Sequence, residues 1–198
     1  MPDHAPRRQR RGLERMSLIL EAATQVMGRV GYERMTTNAI AAEAGISPGS
    51  LYQYFSSKED IASALWERYA TELRAILDDE ALTSQQTSVA ELVDRVADPV
   101  HALKTAHKAF AQLYSRAADD QGLESVRRAH EAFDAGLVDI MAARNPSWHR
   151  AELEVVAAIV SGMFATTITR DSLTGDPATD LTEVKKAIVA YLVAKGIS

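Results

Sequence analysis

The 198-residue chain has no cysteine, and aromatic residues make up only 6% of it. Without thiols there is no disulfide, no thiolate metal site and no cysteine nucleophile. The five histidines form no i, i+4 pair, and the sequence contains neither a glycine-rich phosphate loop nor a nucleophile elbow. We therefore predict no catalytic residue, no bound metal and no cofactor.

Long hydrophobic runs are also scarce. The segment Met1–Arg11 is polar and rich in arginine, unlike a secretory signal. The longest apolar stretch, Val155–Ile168, is interrupted by polar residues and a glycine, and it falls short of the roughly 20 residues that span a bilayer. We expect a buried helix there, no membrane contact and a cytoplasmic location, with which the lack of cysteine agrees.

Positive charge is scarce overall but concentrated at one end of the chain. The net charge is −5, yet residues 1–58 hold eight Lys/Arg against five Asp/Glu, so this segment is +3 and the remainder is −8. A basic head on an acidic body is the asymmetry expected when only one end of a protein meets phosphate.

The apolar residues recur at helical spacing, and strand-like alternation is missing, so the sequence predicts an all-α fold of about nine helices. Turn residues, among them Asp98-Pro99, predict the breaks between them. The predicted helices cover about 13–30, 37–44, 48–55, 58–79, 89–97, 99–117, 122–143, 147–172 and 181–195.

Glycine, proline and hydroxyl residues mark two short helices near the N-terminus. Gly31 follows the first helix, at a position where glycine tolerates left-handed backbone. Thr36 is the expected N-cap of the second helix, Gly45 ends it, and Ser47 followed by Pro48 begins the third. Two short helices around a tight glycine-containing turn are typical of a DNA-binding helix-turn-helix.

Residues 31–59 contain five features in order: a Gly-Tyr pair, a Thr-Thr cap, the turn Ile-Ala-Ala-Glu-Ala-Gly-Ile-Ser, the segment Leu-Tyr-Gln-Tyr-Phe and a Ser-Lys-Glu restart. This series resembles the DNA-binding domain of TetR-family regulators, over about residues 13–65. The resemblance implies a helix-turn-helix domain over 13–58 and a ligand-binding and dimerisation domain over 59–198. The basic arm over 1–12 is expected to be disordered, either as a solubilising tail or as an arm that reaches DNA.

The outer face of the third helix carries the residues expected to meet bases. Small residues at its start allow its N-terminus to enter a major groove. Ser50, Gln53 and Tyr54 lie on that face, where Gln53 is suited to adenine, while Leu51 and Phe55 point inward. For Tyr54 a core position is an equal alternative.

The family resemblance adds further roles. Thr37, Tyr52 and Lys58 match positions that hold phosphates, and Asn38 stands where several members place a base-reading side chain. Ala39 replaces the acidic residue that is common in the family. The predicted DNA-binding residues are Thr36, Thr37, Asn38, Ser47, Pro48, Gly49, Ser50, Tyr52, Gln53, Tyr54 and Lys58.

The last two long helices have larger apolar faces than a small core needs. In the resembling family these helices pair with their two-fold mates, so we expect a homodimer, with packing inside one chain as the alternative. A pocket for a small apolar or amphipathic effector is also implied, although such apolar stripes are more often plain core. Its predicted lining is His107, Phe110, Tyr114, His130, Phe133, Met163, Phe164 and Thr167.

The sequence therefore predicts a transcriptional repressor that a small molecule releases from a palindromic double-stranded DNA operator. Two alternatives remain: a transcriptional activator or ligand-independent DNA binder, and a small-molecule-binding protein that does not bind DNA. The charge distribution and the helix-turn-helix argue against the second.

Overall fold

A computed structural model of the chain describes residues 5–115, 124–170 and 172–197. Within those ranges every regular element is a helix, which confirms the all-α prediction. The helices are α1 (Ala5–Val30), α2 (Thr37–Glu43), α3 (Pro48–Tyr52), α4 (Lys58–Leu77), α5 (Val89–Ala106), α6 (Lys108–Ser115), α7 (Glu124–Arg144), α8 (Arg150–Thr169) and α9 (Pro177–Lys195), with a 3-10 turn at Glu80–Thr83 after α4.

Helix α1 begins eight residues earlier than predicted, at Ala5 rather than Leu13. The prediction of a disordered arm is therefore wrong for residues 5–12, and residues 1–4 lie outside the described part of the chain. Pro6 falls in the first turn, where proline costs no hydrogen bond, and the arginines that follow are good helix formers. Arg10 also pairs with Glu14 one turn later, at 3.4 Å.

The break predicted at Asp98-Pro99 is wrong, because α5 continues through Pro99 to Ala106. Proline deletes one backbone hydrogen bond, but Val100 and Leu103 beyond it are buried, and their packing offsets that loss. The chain instead leaves helical geometry at His107, whose φ of −132° and ψ of 95° separate α5 from α6.

One apolar core joins the N-terminal three-helix unit to the rest of the molecule. Ile40 and Leu51, from α2 and α3, belong to the same buried cluster as Ile188 and Leu192 on α9. Helix α4 contributes to both ends, because it packs against α1 and also against α5, α6 and α7. A shift of α4 would therefore displace packed side chains both in the N-terminal three-helix unit and among the later helices.

Helix α8 is long and apolar enough to span a membrane by length and composition alone, with a mean hydropathy of 1.5, but only 33% of its most apolar window is buried within this chain. The burial predicted for this helix is therefore partial. It packs against α7 and α9. Its outer side leaves Val155 and Ile159 exposed, and α9 leaves Val193 exposed.

The loop between α8 and α9 is organised by a buried carboxylate. Asp180 accepts hydrogen bonds from the Ser172 hydroxyl at 2.6 Å, from Leu173 N at 2.6 Å, and from the amide and hydroxyl of Thr174 at 3.0 and 2.7 Å. These donors lower the pKa of Asp180 to about 2, the Ser172 hydroxyl contributing most. The loop thereby fixes how α9 returns along α8.

Candidate functional site

Hydroxyl side chains cap both helices of the helix-turn-helix, as predicted. The Thr36 hydroxyl accepts from Ala39 N at 3.1 Å, and the Ser47 hydroxyl accepts from Ser50 N at 3.1 Å. The turn between the helices passes through Gly45 at φ +64°, a conformation that L side chains rarely adopt. Local sequence therefore sets the angle between α2 and α3.

The residues after the α3 N-terminus divide between core and solvent. Leu51 and Phe55 are buried, which confirms their inward orientation. Tyr52 is 53% exposed, and Gln53 and Tyr54 are exposed beside it. The core alternative for Tyr54 is therefore wrong, and the polar side chains of this segment are free to meet a ligand as large as a DNA duplex.

A hydrogen bond joins the start of α2 to the end of α3. The hydroxyls of Thr37 and Tyr52 lie 2.9 Å apart, and both belong to the predicted phosphate-binding set. The pair presents two hydroxyl groups at one point near the α2 N-terminus, where backbone amides also favour an anion. Asn38, the next residue, is exposed.

Lys58 has internal partners that the sequence did not indicate. Its ammonium donates to the carbonyls of Tyr32 at 3.4 Å and Glu33 at 3.2 Å, and it lies 4.7 Å from the centre of the Tyr32 ring. In the free protein this side chain therefore holds the α1–α2 turn against the start of α4. A phosphate would be an additional partner, since an ammonium has three donors.

The cap of α4 also differs by one residue from the sequence expectation. In the sequence, Ser56 and Glu59 have the spacing of a capping box and predict Ser56 as the cap. In the structure the Ser57 hydroxyl accepts from Asp60 N at 3.0 Å, and the Asp60 carboxylate accepts from Ser56 N at 3.1 Å. Glu59 is instead engaged by the Tyr32 hydroxyl at 3.3 Å. Ser57, with φ −149° and ψ 169°, is therefore the N-cap of α4, and the Asp60 carboxylate binds the amide of the residue before the cap.

The body of the molecule, formed by α5 to α9, contains an apolar cavity of about 70 Å³ to which each of these five helices contributes lining residues. Three of the predicted ligand-binding residues line it, namely Tyr114, Phe133 and Phe164. The remaining lining is Leu92, Val93, Val96, Ala97, Leu137, Ile140, Met141, Ala157, Val160, Ser161, Ile188 and Leu192. The α5 and α9 contributions were missed because their spacing is that of ordinary core residues.

The other predicted ligand-binding residues lie elsewhere. Phe110 is fully buried and stacks on Trp66, with ring centroids 5.6 Å apart, and His107 lies against Tyr69 at 5.4 Å. Thr167 is buried, and its hydroxyl donates to the Phe164 carbonyl of its own helix at 2.7 Å. Met163 is half-buried against the core. None of these four residues lines the cavity.

His130 lines a second space, an open cleft of about 550 Å³ on the side of the body. The ring stacks on Trp66 at 6.0 Å and meets Tyr114 edge-on at 4.0 Å. Burial lowers the pKa of His130, so the imidazole is neutral at pH 7. Burial and the nearby Asp134 raise the pKa of Tyr114 to about 12. Trp66, which is fully buried on α4, is not among the residues that the sequence predicted for the site.

One side chain of α6 links the body to the end of α1. The Gln112 carboxamide accepts from Tyr32 N at 3.1 Å and donates to the Met27 carbonyl at 3.2 Å. Phe110 and Tyr114, which pack against Trp66, lie two residues before and two residues after Gln112 on α6. One helix therefore contacts both these aromatic rings and the turn after α1.

Among the residues that the structure describes, no group of three or more histidine, aspartate or glutamate side chains is placed to hold a metal ion. What the geometry presents is a helix-turn-helix with an exposed polar α3 and, in the body, an apolar cavity next to a polar cleft. These features define the class of helix-turn-helix proteins with a helical C-terminal domain.

Comparison with known families specifies the class further. Residues 19–65 match the family model of bacterial regulatory proteins of the tetR family, and residues 88–192 match that of the tetracyclin repressor-like C-terminal domain. The chain therefore belongs to the TetR family of bacterial regulatory proteins, which confirms the resemblance inferred from residues 31–59.

Individual relatives are similar over a short stretch or in fold alone. The chain is 39% identical to the fatty acid metabolism regulator protein of Bacillus subtilis (strain 168) over 49 residues, which cover 25% of each protein. The structure of FadR from Bacillus subtilis in complex with stearoyl-CoA has a TM-score of 0.69 at 18% identity, with 92% of this chain and 99% of that one covered. A TetR transcription regulator from Haloarcula marismortui ATCC 43049 has a TM-score of 0.73 at 18% identity, over 91% and 97%.

Proposed function

We propose that the protein is a sequence-specific DNA-binding transcriptional regulator, acting in the cytoplasm as a repressor that a small molecule releases from its operator. The observation that carries the proposal is how α3 and the residues after it divide between core and solvent. Leu51 and Phe55 are buried, Gln53 and Tyr54 are exposed, and Ser50 is half-exposed. This arrangement fixes a short helix on a core and leaves polar groups for base edges.

A homodimer through α8 and α9 completes the proposal. One five-residue helix makes few contacts, whereas two heads held rigidly on one body act at a high effective concentration. The apolar surface that α8 and α9 leave exposed, with Val155, Ile159 and Val193, is suited to a two-fold partner. The operator would then be a pseudo-palindrome with half-sites about 34–36 Å apart, or near a multiple of that distance.

Release would follow from a population shift. An effector that binds the body more tightly in one arrangement of α4 and α6 than in another changes the fraction of molecules whose two heads match the groove spacing. Gln112 is placed to transmit such a shift, because its amide group contacts the end of α1 directly. The size of the change equals the difference in effector affinity between the two arrangements.

Selection of binding sites from random double-stranded DNA tests the proposal. We expect the wild type to select a pseudo-palindrome, and Gln53→Ala to relax preference at one position per half-site, at a cost of about 1–3 kcal/mol for the preferred base. Gln25→Ala, which removes an exposed glutamine from α1, is the matched control and should select the wild-type motif.

Absence of any selected site would refute DNA binding and leave a small-molecule-binding protein. An unchanged motif for Gln53→Ala would refute the base-reading role of Gln53 alone. Transcription in vitro from a promoter that carries the selected site then separates repression from activation, since only a repressor lowers the transcript level.

A further inference from the structure

The polar cleft beside the apolar cavity has a charge that restricts the chemistry of its ligand. Its lining includes Tyr114, His130, Asp134 and Ser161, and two of these, Tyr114 and Ser161, also line the apolar cavity. The two spaces are thus adjacent, with Tyr114 on α6 and Ser161 on α8 lining both of them. Such a pair of neighbouring spaces suits a molecule that has an apolar part and a polar group.

The carboxylate of Asp134 is the half-buried charge of the cleft. It accepts a hydrogen bond from the Ser161 hydroxyl at 2.6 Å, and in the described part of the chain no lysine, arginine or histidine forms an ion pair with it. An anion that is partly removed from water and has one neutral donor favours the approach of a cation.

The positive charge at the rim of the cleft is already matched. The guanidinium of Arg127 contacts the Glu124 carboxylate at 2.6 Å and also pairs with Glu131, which lines the cleft. These two carboxylates leave no net positive charge for a ligand anion. Arg127 is the one arginine in the lining that the structure describes, so a phosphate or carboxylate entering the cleft would meet Asp134 with no unpaired arginine among those lining residues.

Aromatic faces next to Asp134 favour the same kind of ligand. Tyr114 lies edge to face with His130 at 4.0 Å, and the imidazole is neutral because burial lowers its pKa. Neutral aromatic rings attract cations through their quadrupole, most strongly where water is excluded. His130 therefore adds no positive charge that would compete with a ligand cation.

We propose that the effector is an amphipathic amine whose protonated nitrogen lies against Asp134, with its apolar part directed past Tyr114 and Ser161 into the cavity. This inference rests on the proposed function only in treating the bound molecule as an effector. The binding site itself is formed by helices α5 to α9. The cavity of about 70 Å³ holds a short aliphatic segment, and the cleft of about 550 Å³ holds the rest.

Three probes with one eight-carbon chain separate charge from apolar contact: octylammonium, octanol and octanoate, each titrated calorimetrically into the full chain at pH 7. We expect octylammonium to bind more tightly than octanol, and octanoate to bind most weakly. Asp134→Asn should weaken octylammonium binding about 10- to 100-fold, the equivalent of one charge-assisted hydrogen bond, and should leave octanol unchanged.

Two further variants control for the loss of the Ser161 hydrogen bond and for the loss of a carboxylate elsewhere on α7. Ser161→Ala removes the internal donor of Asp134 and leaves its charge, so octylammonium binding should be retained or strengthened. Asp139→Asn removes a carboxylate of the same helix that pairs with Arg150 at 2.8 Å, away from the cleft lining, and should leave all three affinities unchanged. Thermal melting of each free variant shows whether it is folded.

Octanoate binding at least as tightly as octylammonium, or an equal loss of octylammonium and octanol affinity in Asp134→Asn, would overturn the inference. DNA affinity, measured separately on the selected site, keeps the two proposals apart. Amine binding without any DNA binding would refute the regulator and leave the amine site standing. DNA binding without a preference for the amine would refute the amine site and leave the proposed regulator standing.

Discussion

Tyr52 and Thr37 join α2 to α3 through a hydrogen bond between surface hydroxyl groups. We expect loss of this bond to lower the affinity for DNA with little effect on the stability of the fold. Tyr52→Phe removes one hydroxyl from a side chain that is already 53% exposed, so the melting temperature should change little. If the pair holds a phosphate, affinity for operator and for unrelated DNA should fall alike, by about 0.5–1.5 kcal/mol. Fluorescence anisotropy on both duplexes measures this.

The comparison variant is Tyr54→Phe, the other exposed tyrosine of the segment, which is proposed to face bases, so any loss of affinity should be confined to the operator duplex. A loss confined to the operator duplex for Tyr52→Phe would contradict the phosphate role and indicate base reading instead. An unchanged affinity on both duplexes would place Tyr52 outside the interface.

Asp180 predicts a pH dependence of stability. Its pKa is lowered from the ordinary 3.8 to about 2 by the donors of the α8–α9 loop. A carboxylate with a lowered folded-state pKa stabilises the fold above its unfolded pKa, and the stabilisation is lost as the pH falls through the folded value. The free-energy difference between wild type and Asp180→Asn should therefore be constant above about pH 5 and should shrink between about pH 4 and pH 2.

Urea denaturation of both proteins across that pH range provides the measurement for Asp180. Glu72→Gln, on the exposed side of α4, serves as the control variant and should differ from wild type by the same small amount throughout. A wild-type advantage over Asp180→Asn that persists unchanged at pH 2 would show that the carboxylate is not stabilised by its loop.

The contact of α7 with the end of α4 depends on a glycine. A Cβ added at Gly136 would lie 2.6 Å from Cδ1 of Leu77, so the leucine would have to leave its position. Because Cδ1 is the end of a half-buried side chain that can rotate away, Gly136→Ala should cost less than about 1 kcal/mol once the better helix propensity of alanine is included. Chemical denaturation measures the loss.

A double-mutant cycle tests the stated cause. In the Leu77→Ala background the space next to residue 136 is open, so Gly136→Ala should cost nothing further. Gly28→Ala is the matched control, because its added Cβ would meet Lys108 Cβ at an ordinary 3.7 Å, and it should be neutral or stabilising. Equal costs in both Leu77 backgrounds would remove the steric explanation.

The order of the helices was predictable from sequence, and the places where prediction failed have a common physical cause. Caps and turns act within a few residues, so Thr36, Ser47 and Gly45 could be assigned from their neighbours alone. The continuation of α5 through Pro99 depends on packing against distant helices, which outweighs a local preference. Tertiary contacts of this kind leave no periodic signal.

The candidate sites follow the same division. The exposure of Gln53 and Tyr54 was predictable because the apolar residues Leu51 and Phe55, four positions apart, mark the opposite, buried side of the segment. The pairing of Asp134 with Ser161 was not, since it joins residues 27 positions apart on two helices. For the same reason Gln112, 80 residues from Tyr32, gave no sign of its contact.

At the scale of the whole molecule, the two heads can act together only if the body dimerises. Val155 on α8 and Val193 on α9 are each 59% exposed, although the opposite sides of both helices pack into the core. In the proposed homodimer, replacing both by glutamate would place four negative charges in the two-fold interface, two from each chain, and their burial would cost several kcal/mol per dimer. The variant should sediment at the mass of one chain, 21.6 kDa.

Loss of the dimer should also separate specific from non-specific DNA binding. Each monomeric head keeps its own α2 and α3, so weak salt-dependent binding to any duplex should remain while the preference for a palindrome disappears. Leu13→Glu is the control, because Leu13 is a similarly exposed apolar residue (62%) on α1, remote in sequence from α8 and α9, and it should leave the sedimenting mass unchanged. A Val155→Glu/Val193→Glu variant that still sediments as a dimer would mean that another surface pairs the chains, and the spacing of the two heads would then have to be derived from that surface.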